Sequence, residues 1–214
     1  MGIYSFNRYF KLYLKCILKN ANYSFVENLS QQPFKNENVL LDSKYLYYMC
    51  LHLKFSSLFY SCQLNDIFAY EVPRSTPVNT ELTTFNKANL KYSLSNKGIA
   101  SIVVYNFHIL NTQERFYIFI SNNVTLPSSS NIFTKSAKVT SITELFFAAN
   151  WLEREVSELH GVVIKDKKDL RNLMLQYGDS SSPFQKSFPS VGLKEMYYNP
   201  VKDTIIQNPV SVQI

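Results

Sequence analysis

The periodicities along this chain predict an α+β fold: a single domain with a mixed or antiparallel sheet flanked by helices, followed by an extended C-terminal tail. Apolar residues recur at three- and four-residue steps after Asp42 and again from Ile142 to Leu159, the spacing of amphipathic helices. Between these stretches, from Ile102 to Leu110 and from Phe116 to Ile120, apolar residues alternate as in half-buried strands. Beyond Gly178, the prolines at 183, 189, 200 and 209 interrupt any period. The 214 residues, 46% hydrophobic and 18% charged, suffice for one ordinary core. The expected division is an N-terminal basic amphipathic helix and connection over 1–38, an α+β core over 39–178, and a tail over 179–214 that packs on partners.

In chain order, Phe6, Phe10, Tyr13, Leu14, Ile17 and Leu18 form one helical face, with Arg8, Lys11, Lys15 and Lys19 three or four apart. Such a helix can be a targeting segment, lie on a membrane surface, or pack its apolar face on the domain; the last reading is preferred here. Asp42 can cap a helix carrying Tyr45, Leu46, Met49, Cys50 and Leu53. Leu58, Tyr60, Cys62 and Leu64 then alternate with polar residues as a strand. Residues 73–97 lack periodicity and read as a long connection. In the hairpin that follows, Val103, Tyr105, Phe107 and Ile109 face one way and Asn106 and His108 the other. Residues 127–131 read as a polar loop.

Ser141-Ile142-Thr143-Glu144 has the form of a capping box, and Ile142, Leu145, Phe146, Ala149, Leu152, Val156 and Leu159 trace one apolar stripe behind it. A second start at Asn150, with Glu153 three residues on, is the alternative boundary. At 100° per residue Glu153 falls on the apolar side, whereas Trp151, Arg154, Glu155 and Glu158 share the other flank. A buried carboxylate there needs a cation, backbone N–H groups, or His160. Arg154 and Glu158 form an i,i+4 pair of small energetic value, so the flank is read as a polar protein contact in preference to a merely solvated face. Asp166 and Asp169 are expected to cap a further helix with Leu170, Leu173, Met174 and Tyr177 on one face, closed by Gly178.

The formal charge of +6 raises the question of RNA, but Arg8, Lys11, Lys15 and Lys19 all precede the first acidic residue, Glu27. An organellar RNA-binding or ribosomal protein is kept as the alternative. Cys16, Cys50 and Cys62 show no C-x-x-C spacing and His52, His108 and His160 are scattered, so neither an iron-sulfur cluster nor a zinc site is expected. A Gly-rich phosphate loop and a triad-like constellation are likewise absent from the sequence. No apolar run reaches the length of a membrane span. Only 5 glycines occur, and lysine, asparagine, tyrosine and phenylalanine abound, which fits an A+T-rich genome such as a mitochondrial one.

The segment Asn150-Trp151-Leu152-Glu153-Arg154-Glu155-Val156-Ser157-Glu158-Leu159-His160-Gly161 resembles the signature of the 30 kDa (NuoC-type) subunit of respiratory complex I, NADH:ubiquinone oxidoreductase. Asp169-Leu170-Arg171, Tyr177-Gly178, Pro183, Lys186, Phe188-Pro189 and Gly192 follow in that family's order. The resemblance covers roughly residues 139–198 and, more loosely, 55–73 and the hairpin. It departs at Ser157, Glu158, His160 and Asn172, and along Ser182 to Pro189 three polar or charged contacts are lost. It implies a subunit of the peripheral, matrix-side arm at the mitochondrial inner membrane, without its own redox centre. Its implied partners are the large quinone-site subunit and other peripheral-arm subunits, with no nucleic acid and no membrane span of its own. FMN and iron-sulfur clusters then belong to other subunits. Trp151, Glu153, Arg154, Glu155, Glu158, Asp169, Arg171 and Lys186 are expected to be structural or interface residues, none of them catalytic.

Overall fold

The computed structural model describes residues 12–17, 23–26, 37–57, 59–73, 99–111, 113–123 and 138–210. Their framework is a mixed five-stranded sheet in the order β1-β2-β5-β4-β3. The strands are β1 Tyr23–Val26, β2 Glu37–Leu41, β3 Cys62–Pro73, β4 Ile99–Ile109 and β5 Glu114–Asn123. Neighbours run antiparallel except β2 and β5, which pair in parallel with Glu37 opposite Phe116. The β4–β5 hairpin follows the alternation in its sequence: Val103, Tyr105, Phe107 and Ile109 are buried on one face, and Asn106 and His108 are only partly covered on the other.

A bulge between Leu64 and Asp66 inserts one residue into β3. It resets the parity, so that Cys62 and Leu64 before it and Ile67 and Ala69 after it all turn to the core. This strand starts later than its sequence pattern suggests. Tyr60 lies in a turn and is exposed, while Phe59 is buried and meets Tyr13 with ring centroids 5.0 Å apart.

Helices cover that face. Residues 12–17 are helical (α1), and Leu14 joins the core. Asp42 stands at the start of a 3-10 turn, Ser43–Tyr45, that leads into α2, Leu46–Phe55; its backbone carbonyl, not its side chain, accepts the first turn's N–H. Helix α2 buries Leu46, Met49, Cys50 and Leu53. Of the connection expected over 73–97, Pro73 is the last residue of β3 and the rest lies outside the described residues, as do the remaining residues of the basic N-terminal face and the loop at 127–131.

Helix α3 spans Ala149–His160 and is linked to a two-stranded parallel sheet of β6, Lys138–Thr140, and β7, Val163–Lys165. The expected helix start at Ser141 is not found: residues 141–148 form turns, and the later start near Asn150 is the observed one. The apolar stripe is buried all the same, with Ile142, Phe146, Ala149, Val156 and Leu159 inside, because turns of three and four residues keep near-helical spacing. Phe107 stacks on Phe116 and meets Phe146 edge to face, each pair with ring centroids 5.3 Å apart.

Two expectations fail beyond α3. Residues 166–178 make bends and turns instead of a helix, with Leu170, Met174 and Tyr177 exposed. The tail, read as patternless, contains an antiparallel hairpin of β8, Lys194–Asn199, and β9, Thr204–Pro209. Its strands were hidden because both faces are largely exposed, so no alternation of apolar and polar residues marks them.

Candidate functional site: the charged helix and the loops it holds

The site is built by one helix and two loops. Glu153 is wholly buried at the centre of α3. One carboxylate oxygen accepts the Ile142 backbone N–H at 2.8 Å; the other accepts the Ser141 and Thr143 hydroxyls at 2.7 and 3.0 Å and the Lys167 ammonium at 3.0 Å. Lys167, equally enclosed, also donates to the Asn150 carbonyl at 2.9 Å and to Thr143 Oγ1 at 3.3 Å. A buried charge with four donors and a buried cation with three acceptors meet the conditions under which such a pair is tolerable. The capping-box residues therefore serve Glu153 of the neighbouring helix rather than a helix of their own. His160 takes no part in this cluster.

Lys167 was not singled out in the sequence. It follows Asp166, whose φ is +61°, and that left-handed turn swings the lysine inward. An aspartate in the short stretch between β7 and Lys168 was the available signal. A cleft lined by Tyr47, Thr140, Glu144, Asn150, Asp166 and Lys168 opens beside the cluster, and at its rim Lys168 and Glu144 pair at 3.5 Å.

The outer flank departs from the expected i,i+4 pair. The Arg154 side chain is only 10% exposed, because its guanidinium donates to the carbonyls of Arg171 and Asn172 at 2.8 and 3.1 Å and lies 3.7 Å from Asp169. Glu158 accepts the backbone N–H groups of Leu173, Met174 and Leu175. Burial pushes the Glu158 carboxyl up, but these N–H groups and the Arg154 charge outweigh it and hold the group below its ordinary value. Arg154 thus takes the carbonyls of the 169–175 loop, and Glu158 takes its amides.

Asp169 and Arg171 make a two-pronged pair of their own, at 3.0 and 2.9 Å. The guanidinium of Arg171 draws the Asp169 carboxyl well below the usual carboxylate range. Asn172 spans the same loop to the carbonyls of Gln176 and Asp179. Glu155 is half-exposed, and Lys186 projects outward while its backbone N–H is held by Glu71 of β3 at 2.8 Å. Trp151 is 64% exposed and Phe147, four residues before it, is 83% exposed.

At the helix end Gly161 adopts φ +66°, and a Cβ there would stand 2.4 Å from the Gln185 side-chain amide. That amide donates to the His160 carbonyl at 3.1 Å, and Phe184 N–H donates to Leu159 O at 3.0 Å. The helix C-terminus is therefore capped from the 182–186 segment; the left-handed φ favours glycine at 161, and a Cβ there would push the Gln185 amide aside. Cys50 and Cys62 lie in the core, where burial holds both thiols protonated, that of Cys62 up to about 12. Among the described residues no group of three His, Cys, Asp or Glu side chains is placed to hold a metal ion, and no helix is long and apolar enough to cross a membrane.

These features define a class: an α+β domain in which one charged helix anchors its neighbouring loops from inside and outside, leaving an aromatic edge bare. Residues 63–194 match the family model described as respiratory-chain NADH dehydrogenase, 30 Kd subunit. The chain belongs to that family. It is 37% identical over 122 residues to NADH-ubiquinone oxidoreductase subunit 9 of Paramecium primaurelia, covering 56% of this chain and 51% of that protein. It is 40% identical over 75 residues to an NADH-quinone oxidoreductase subunit of Thiobacillus denitrificans, covering 35% of this chain and 38% of that one. The matches thus span about half the length of these relatives, or less. A solved chain from the membrane-bound sulfane sulfur reductase, an archaeal respiratory membrane complex, shares the fold with a TM-score of 0.55 at 12% identity, covering 86% of this chain and 87% of that one.

Proposed function

We propose that this chain is a noncatalytic scaffold subunit in the peripheral arm of mitochondrial NADH:ubiquinone oxidoreductase, packed against the quinone-site subunit and supporting electron transfer from NADH to ubiquinone. The observation that carries this reading is the division of labour on α3. Arg154 and Glu158 are spent on holding a loop, while Trp151 and Phe147 stay bare, as do Leu170 and Met174 of the held region. A large aromatic in a rigid, partly charged frame is the composition of an interface anchor. Family membership and the names of the relatives support placing it in such an assembly.

In this reading Glu153, Arg154, Glu158, Asp169 and Arg171 position the surface, and Trp151, Glu155 and Lys186 meet the partner. The chain itself contributes no reacting group and holds no cofactor; FMN and the iron-sulfur clusters sit in other subunits. Its place is the matrix side of the inner membrane, attached through partner subunits. The RNA-binding alternative receives no support from the family assignment.

The test is native electrophoresis of gently solubilised membranes carrying a tagged copy, with an in-gel stain for NADH dehydrogenase activity. The tag is expected in a very large active band. Recovery with ribosomes, or only as a free small protein, would overturn the assignment.

A further inference from the structure

The segment that caps α3 rests on an ionisable ring. His160 and Phe184 meet edge to face at 5.3 Å, and the same short stretch carries three backbone or amide anchors: Phe184 N–H on Leu159 O, the Gln185 amide on His160 O, and Lys186 N–H on Glu71. His160 Nδ1 is shut away from solvent and meets no hydrogen-bond partner among the described residues. In a neutral imidazole with Nδ1 unprotonated the buried atom is an unpaired acceptor; an imidazolium would place a charged donor there with nothing to accept it, which costs more. We propose that residues 182–188 form a proton-sensitive strap, docked on the end of α3 while His160 is neutral and loosened when His160 is protonated.

The influences on the ring oppose one another. Glu71 on β3 and Glu155 on α3 both favour the imidazolium, as does the helix C-terminus, while burial of the ring opposes them. Burial outweighs the two carboxylates and brings the His160 pKa below its ordinary 6.5. Because the docked state binds the proton less well than the free strap, docking is complete above about pH 6.5 and weakens as pH falls below it. The consequence reaches past the strap, since the chain runs directly from it to the β8–β9 hairpin. Loosening the strap frees the hairpin's point of attachment. This device concerns the chain's own contacts and stands apart from the assembly assigned above.

Hydrogen exchange on the full chain tests it, read at the Phe184 and Lys186 amides at pH 5.5 and 7.5 and corrected for intrinsic exchange. In the native sequence protection is expected to fall several-fold at the lower pH, with amides inside β4 unchanged. His160→Phe should keep the strap protected at both values. His160→Gln, which never charges, covers the case in which phenylalanine repacks the contact and should likewise show no fall. Gln185→Ala should lower protection at both pH values while leaving the fall in place. Equal protection of the native chain at both pH values, or the same fall in both His160 variants, would overturn the proposal.

Discussion

At the residue scale, Lys167 shows how much one position can carry. Replacing it by methionine keeps the volume but leaves the Glu153 carboxylate buried without its cation, a loss of about 3–5 kcal/mol. Urea unfolding should register that loss, whereas exposed Lys168→Met should change stability by less than about 0.5 kcal/mol. Gly161→Ala combines a strained φ with displacement of the Gln185 amide and should cost about 1–2 kcal/mol in the same assay. Glu153 was legible because a helical wheel shows a carboxylate on an apolar face. Its partner was not, because lysines at 165, 167 and 168 look alike in sequence and only the turn at Asp166 chooses among them.

At the element scale, the 169–175 loop held by α3 imitates a helix in sequence. Leu170, Leu173, Met174 and Tyr177 have the right spacing, but the N–H groups that would form its ladder go to Glu158 instead, and a carboxylate accepting three of them wins locally. Since the Glu158 pKa is lowered in the folded chain, this anchorage is fully present above the ordinary value of 4.5 and is lost as pH falls below it and through the lowered folded-state value. Amide exchange at 173–175 should show this loss, and Glu158→Gln should remove its pH dependence. The same arrangement changes what a substitution at Arg154 means. Arg154→Glu unseats the loop as well as altering a surface charge, so Trp151→Ala is the cleaner probe of association. That variant should unfold within about 0.5 kcal/mol of the native chain. Its incorporation into the large complex should weaken by about 2 kcal/mol, roughly 30-fold, when titrated against the native copy.

At the scale of the whole molecule, the sheet and its helical cover were legible wherever burial on one face imposed a period, as in β4, β5 and α2. The β8–β9 hairpin was not, because a strand exposed on both sides has no such imprint. For the same reason, removing residues 194–214 should leave the thermal unfolding of the core within about 2 °C of the full chain by circular dichroism, as no residue of the hairpin belongs to the core. The parallel pairing of β2 with β5 has a further consequence, in the order of biosynthesis. Strand β2 leaves the ribosome early, yet its neighbour at Phe116 is made only after β3 and β4, so one edge of the β1–β2 ribbon stays open for much of translation. The nascent chain must therefore carry β2, with Val39 and Leu41, paired on its β1 side alone until β5 has been made.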